Sequence, residues 1–522
     1  MFKKILENLP FHPLLFSAYP VLALLALNID QIGSKAAIRS LIATCTLAVF
    51  MWFLLNLMIK NWRRSALIVS LFCILFFSYG HLYHYLESHT VLGFHPGRHR
   101  LLVVIWLSLC ILGIWAAIKK IKHLQKITKG LNFISIVLIS MPIFMLLTYT
   151  IRLQISQIEQ SSVVTRDSGI SLQSNPQMPD IYFIVLDAYA RQDVLKENYG
   201  YDNSAFISEL ERMGFYVARC SQSNYGLTYL SIASTLNADY LEQISERYFG
   251  GKMDMIWVPD LIKQNATSRS LKQLGYTDVS FENGFDNLLW DDADVIYRKY
   301  QSDTSQKQSF LNTNGFEIML LNQSAFLFVT DTFSILFDRF LPIKNYPANV
   351  HRDRILYMFE KLTSVPTDLR SPKLVYVHFA APHFPIVFGP DGEFVTLPEN
   401  PDAATYAAGY GGEVTYLNKK ILEIVREIIA VSAIPPVIII QSDHGDFNTS
   451  ASDRMKILNA YYLPGIDKSK FYPSISPLNS FRLVFNQYFK GNYALLPDKS
   501  FFSSYEEPLK FTDVPNPCAN DN

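Results

Sequence analysis

An N-terminal domain of five transmembrane helices, followed by a C-terminal α/β domain built on a mostly parallel, doubly wound sheet, is the fold this sequence predicts. Three observations carry that expectation. Five long stretches without Asp, Glu, Lys or Arg crowd into residues 1–151. Beyond them, continuous apolar runs of strand length stop at acidic or imidazole residues. Helical patterns, such as Val414 to Ile429, lie between those runs. At 522 residues the chain also exceeds one ordinary core, so more than one structural unit is expected.

The apolar stretches are Phe11 to Ile29, Ser40 to Ile59, Ser65 to Leu86, Leu101 to Ile118 and Gly130 to Ile151. A helix that crosses a bilayer needs ~20 such residues, and each stretch is near that length. The first ends in Asn28, Ile29 and Asp30 without a small-residue cleavage pattern, so it reads as a retained helix and not a signal peptide. Short basic loops stay in the cytoplasm. With the N-terminus inside, the inner loops hold ten basic residues (Lys3, Lys4, Lys60, Arg63, Arg64, Lys119, Lys120, Lys122, Lys126 and Lys129) against five outside (Lys35, Arg39, Arg98, Arg100 and Arg152). An odd number of spans then leaves everything after Ile151 outside the cytoplasm, on an integral protein of a bacterial inner or plasma membrane. His81, His84, His95 and His99 read as interfacial residues, with only Glu87 as an acidic companion.

The formal net charge is zero, and the soluble part has no Lys/Arg cluster interleaved with aromatics, which excludes nucleic acid as a partner. Of five cysteines, Cys45, Cys73 and Cys110 lie in apolar stretches, and the spacing of Cys220 and Cys518 leaves their pairing open. The expected organisation is a transmembrane domain over 1–151, a Ser- and Gln-rich linker over 152–178, a catalytic domain over 179–510 and a polar tail over 511–522.

Within the catalytic domain, the run Asp180-Ile-Tyr-Phe-Ile-Val-Leu186 stops at Asp187. Pro436-Val-Ile-Ile-Ile-Gln441 runs into Ser442-Asp443-His444-Gly445, and Leu374-Val-Tyr-Val-His-Phe379 leads to Pro382-His383-Phe384-Pro385. Unbroken apolar strands belong in the middle of a parallel sheet, whose ligands bind beyond the carboxyl ends of its strands. Asp443 and His444 offer an oxygen and a nitrogen ligand side by side, with Gly445 letting the chain turn tightly away. A further strand, Phe215 to Arg219, leads to Thr228 at the start of a helix, where free N–H groups favour an anion. Ser221, Ser223, Ser231 and Ser234 are competing hydroxyls in the same region.

The order of these motifs resembles the alkaline phosphatase and sulfatase superfamily, in particular membrane-anchored members such as lipoteichoic-acid synthases and phosphoethanolamine transferases. The resemblance spans roughly Pro179 to Leu496 and rests on Ile-Val-Leu-Asp187, Ser-Asn-Tyr-Gly-Leu-Thr228, Pro-His383-Phe-Pro385, Gln-Ser-Asp443-His444-Gly445 and Ile457-Leu-Asn-Ala-Tyr-Tyr-Leu-Pro464. It implies an alkaline-phosphatase-like fold with Asp187, Asp443 and His444 as metal ligands. Thr228 would be both covalent nucleophile and ligand, and His383 an oxyanion or leaving-group contact. Two departures narrow it. Cys220 begins Cys-Ser-Gln-Ser-Asn and lacks the x-Pro-x-Arg that formylglycine sulfatases need. No histidine follows His444, and His351, His378, His383 and His444 are the histidines of the soluble part, so a single-metal site is expected, with His378 as a core residue.

A threonine hydroxyl is too weak an acid to ionise unaided at neutral pH, so one divalent ion, manganese or zinc by donor type, is the implied cofactor. Asn224, Arg454 and Lys456 are candidate substrate contacts. The expected function is transfer of a phospho-substituent, phosphoethanolamine or phosphoglycerol in type, from a membrane lipid donor to an envelope glycan or lipid acceptor through a phosphothreonine intermediate. A phosphate- or sulfate-ester hydrolase and a catalytically inactive binding module are the alternatives.

Overall fold

The computed structural model describes residues 9–29, 34–87, 99–164, 172–174, 178–285, 287–299, 315–332, 346–398 and 401–520. Lys3, Lys4, His95, Arg98 and much of the expected linker lie outside them. The chain divides into two compact units, one of Met1–Gln154 with Ser302–Pro347, the other of Ile155–Gln301 with Ala348–Asn522.

In the first unit, four helices are long and apolar enough to cross a membrane: Lys35–Ile59, Trp62–Leu86, His99–Lys120 and Leu124–Gln154. The fifth expected span is the shorter apolar helix His12–Leu27. Its 16 residues rise about 24 Å, less than the ~30 Å of a hydrocarbon core. Polar side chains tie these helices together where apolar packing alone is indifferent to lipid. His12 shares a hydrogen bond of 2.6 Å with Ser70, and its N–H donates to Asn132 Oδ1 at 3.1 Å.

Two short helices encoded far downstream, Gly315–Asn322 and Phe326–Thr332, belong to this unit, which the apolar pattern of the first 151 residues did not anticipate. Phe316 and Leu320 share a buried cluster with Val21, Leu24 and Leu25, while Glu317 is ion-paired with Arg39. The last long helix continues to Val164, so the start of the stretch expected as linker is helical.

The second unit holds a seven-stranded sheet in the order β2-β7-β6-β1-β5-β3-β4. The strands are β1 Ile181–Leu186, β2 Tyr216–Val217, β3 Thr277–Phe281, β4 Val295–Tyr297, β5 Lys373–Phe379, β6 Val437–Gln441 and β7 Asn459–Tyr462. β1 pairs in parallel with both β5 and β6, and β3 is parallel to β4 and β5. Only β7 runs against its neighbours β2 and β6. The strand expected over Phe215 to Arg219 is reduced to two residues.

Burial explains the unbroken apolar runs. Tyr182, Ile184 and Leu186 of β1 enter one core layer with Ile421, Val425 and Ile428 of the helix Ala403–Val431. Ile181, Phe183 and Val185 enter the other with Leu230, Ala233 and Leu236 of the helix Thr228–Asn237. A strand covered on both faces has no reason to alternate. The adjacent central strands β6, β1 and β5 thus deliver their carboxyl ends to one edge. The expected polar tail is partly structured: β8 Phe501–Phe502 pairs with β9 Thr512–Asp513, and Cys518 forms a disulfide with Cys220.

Candidate active site

Asp187 follows the last residue of β1, and its N–H donates to Phe379 O at the end of β5 at 2.9 Å. Asp443 and His444 follow β6, and Thr228 is the first residue of its helix, whose cap at Leu227 uses no side chain. One donor atom each from Asp187, Asp443 and His444 lies within 4.8 Å of the others, and all three side chains are buried. His444 Nε2 stands 3.4 Å from Asp443 Oδ2, 3.8 Å from Asp187 Oδ1 and 3.1 Å from Thr228 Oγ. The four expected ligands therefore meet.

Local hydrogen bonds hold this geometry. His444 Nδ1 lies 2.7 Å from Gly445 O, an acceptor only, so Nδ1 carries the proton and the Nε2 lone pair faces the carboxylates. Ala188 adopts a left-handed φ of 62°, an arrangement costing about 1–2 kcal/mol for a residue with a Cβ. Its neighbours over-determine it, for its N–H donates to Asp443 Oδ1 at 3.1 Å and its carbonyl accepts from Tyr410 O–H at 2.7 Å. Gly445 is required for close approach: a Cβ there would stand 3.0–3.1 Å from the carbonyl oxygens of Asp453, Lys456 and Arg454. The chain segment carrying Arg454 is thereby pressed against the Asp443-His444 loop.

Burial and the charge of Asp443 push Asp187 well above the ordinary carboxylate range, with Arg454 opposing them. Against its own burial, Asp443 is held low by His444, His378, the Thr228 hydroxyl and the Ala188 N–H. Two carboxylates buried this close repel one another, and a bound cation would relieve that repulsion. Asp187 Oδ1 and Asp443 Oδ2 are buried and, among the described residues, have no hydrogen-bond partner. Burial pulls His444 down to about 4, keeping it neutral and able to ligate. These residues fit one divalent cation held by mixed oxygen and nitrogen donors.

His383 does not join the cluster directly. It meets Phe447 edge-on at 4.8 Å, and Phe447 in turn meets His444 at 4.8 Å. Its Nδ1 donates to Phe384 O, which leaves Nε2 as an acceptor, and burial lowers its pKa. Arg454 stacks on Phe447 at 3.9 Å, with Tyr505 beyond at 5.6 Å, and its Nε and Nη2 are buried without a hydrogen-bond partner among the described residues. A cavity of about 770 Å³ opens here, lined by His383, Phe447, Tyr199, Tyr406 and Tyr505 among others.

Two expected substrate contacts are placed elsewhere. Asn224 spends both ends of its amide on backbone, donating to Lys499 O at 2.9 Å and accepting from Leu478 N–H at 3.0 Å, so it fixes the loop before Thr228. Lys456 is paired with Asp453 at 2.8 Å and Asp193 at 3.9 Å. Of the competing hydroxyls, Ser221 donates to Ile475 O at 2.6 Å, Ser234 to Asp239 O at 2.7 Å, and Ser223 to Asp443 O. Ser231 bonds Ser223 at 3.1 Å, which leaves Thr228 as the hydroxyl facing the cluster.

Sequence reasoning missed the ring stack of Phe447 and Tyr505, and it assigned His378 to the core alone. His378 is buried, yet its Nε2 lies 3.4 Å from Asp187 Oδ2. A polar residue one position before the end of an otherwise apolar strand was the available signal.

No family model matches the chain, and no curated protein matches it. Among solved structures, it is similar to the C-terminal periplasmic domain of the Escherichia coli protein EptC in complex with zinc. That likeness has a TM-score of 0.42 at 12% identity and covers 66% of this chain and 96% of that one. It is also similar to the integral membrane lipooligosaccharide phosphoethanolamine transferase A of Neisseria meningitidis, with a TM-score of 0.38 at 13% identity over 93% of this chain and 95% of that one. A putative sulfatase from Bacteroides fragilis gives a TM-score of 0.33 at 13% identity over 66% of this chain and 85% of that one.

Proposed function

We propose that this chain is a membrane-anchored enzyme of the alkaline phosphatase and sulfatase superfamily that transfers a phospho-substituent, phosphoethanolamine or phosphoglycerol in type, from a membrane lipid to an envelope glycan or lipid. The observation that carries the proposal is the convergence of Asp187, Asp443 and His444 on the hydroxyl of Thr228 at the carboxyl edge of β1 and β6. One divalent cation bound there, manganese or zinc, would supply Lewis-acid charge to the nucleophile and to the phosphoryl oxygens. Thr228 Oγ attacks phosphorus as the P–O bond to the lipid breaks; the Asp443 carboxylate accepts the hydroxyl proton, and the departing lipid oxygen takes up a proton from solvent. Arg454, with unpaired N–H groups fixed by the Phe447 stack, faces the charge that develops on the non-bridging oxygens. His383, with Nε2 free to accept, takes the proton of the incoming acceptor hydroxyl as the group leaves Thr228, whose oxygen regains its proton from Asp443.

The apolar helices would tether such an enzyme to the membrane that carries its lipid donor. If His12–Leu27 spans together with the four longer helices, the basic loops lie in the cytoplasm and the catalytic unit outside it. The Cys220–Cys518 disulfide supports that placement, since such bonds persist in oxidising compartments. A hydrolase would use the same residues with water in place of the acceptor.

The test is turnover of a labelled phospholipid by the full-length protein in membranes. The expected result is label transfer that stops on chelation and returns with manganese or zinc. Release of the free phospho-substituent without any acceptor selects the hydrolase, and undiminished biological function in Thr228→Ala sinks both enzyme readings.

A further inference from the structure

We infer that His378 is a positioning residue for the metal site: a neutral imidazole whose tautomer is set from the backbone through Asn283, so that it donates Nε2–H to Asp187 and does not ligate the ion. The inference rests on the metal-site reading above, and its chain of reasoning begins at a main-chain amide. Phe285 N–H, a donor only, lies 2.9 Å from Asn283 Oδ1. That contact fixes which end of the Asn283 amide is oxygen and turns the Nδ2 donor toward His378, whose Nδ1 is 2.7 Å away. Nδ1 is then the acceptor, and the ring proton sits on Nε2, which is buried 3.4 Å from Asp187 Oδ2 and makes no hydrogen bond with the described residues, so the donor is available to that oxygen.

The two buried histidines of the site are thus set to opposite tautomers by partners of opposite kind, a main-chain acceptor and a side-chain donor. Gly445 O takes Nδ1–H of His444 and leaves its Nε2 as a ligand. The Asn283 amide takes the Nδ1 lone pair of His378 and leaves its Nε2 as a donor. His378 sits one residue before the end of β5, in register with Val185 of β1, so the sheet itself places the donor beside Asp187. An Nε2–H engaged with Oδ2 from this side would leave Oδ1, buried and without a hydrogen-bond partner among the described residues, for the cation. Outer partners of this kind orient ligating carboxylates and commonly govern affinity.

The experiment uses the full-length protein in detergent, with zinc and manganese as the probes. Equilibrium dialysis of wild type, His378→Leu and His378→Gln reads metal affinity. Nitrogen-15 magnetic resonance of histidine-labelled wild type, with the His378 signals assigned by their absence from His378→Gln, reads the tautomer. The Leu variant is expected to bind metal about 10–100-fold more weakly, while Gln, which keeps an N–H near the Nε2 position, restores most of the loss. His378 is expected to show an Nε2-protonated neutral ring. An Nδ1-protonated ring, or a Gln variant as impaired as Leu, overturns the inference. If His378→Leu does not fold, the wild-type tautomer still decides it. Failure of the wild type to bind either metal would instead refute the metal-site reading, whatever the tautomer.

Discussion

Thr228 and His444 show how little of the site's chemistry resides in residue type alone. What singles out the hydroxyl is its setting, with a helix N-terminus, a neutral imidazole and two buried carboxylates around it, whereas Ser221, Ser223, Ser231 and Ser234 are spent on other partners. Arg454→Lys keeps the charge and loses the planar stack on Phe447, so we expect turnover to fall on the order of tenfold or more, with metal affinity unchanged by dialysis. Glu413 gives a pH prediction. Burial raises it from 4.5 to about 8 against the donated Val387 and Phe388 N–H groups. A carboxyl whose folded value exceeds its unfolded one holds a proton in the folded state that the unfolded chain releases, so stability falls as pH rises from about 4.5 to about 8. Glu413→Gln should flatten that part of the stability curve, measured by urea unfolding across the range. A slope unchanged in the variant would show that other groups set it.

At the scale of elements, the parts of the site carried on strand ends were legible, and those carried by loops were not. β1, β5 and β6 announce themselves because a strand buried on both faces must be apolar throughout, and the first polar residue then marks its end. Asp187, Asp443 and His444 follow directly. Phe447 and Tyr505 could not be read, since an aromatic just after the turn at Gly445 carries no periodicity and Tyr505 reaches Arg454 and Phe447 from a distant part of the chain. Asn224 and Lys456 were misplaced because a polar residue near a motif looks the same whether it meets substrate or backbone. The disulfide from Cys220, ahead of the Thr228 loop, to Cys518 closes a separation of 298 residues. Cys518→Ser is expected to lower the stability of the catalytic unit by about 2–5 kcal/mol, checked by thermal unfolding of the oxidised proteins. An unchanged midpoint would show that the staple is dispensable.

Across the whole molecule, hydropathy exposed the long helices because a span requires an unbroken apolar length. It did not expose Gly315–Asn322 and Phe326–Thr332, whose runs are too short to distinguish from core helix and which join the first unit only through the fold. The number of spans decides the side on which the second unit lies, and the helix His12–Leu27 is the element on which that parity turns. Cysteine labelling from outside intact cells should reach a residue introduced on the exposed surface of the catalytic unit, such as Lys510→Cys. Labelling only after permeabilisation would place the unit in the cytoplasm and remove the lipid-to-envelope reading.

The central claim, a covalent group passing through Thr228, is tested most directly by peptide mass spectrometry of the full-length protein incubated with manganese or zinc and native membrane lipids. The account predicts an adduct on the Thr228 peptide, with the mass of the transferred phospho-substituent, that is absent without metal and in Thr228→Ala. Turnover that persists in Thr228→Ala, or an adduct on another residue, would contradict it.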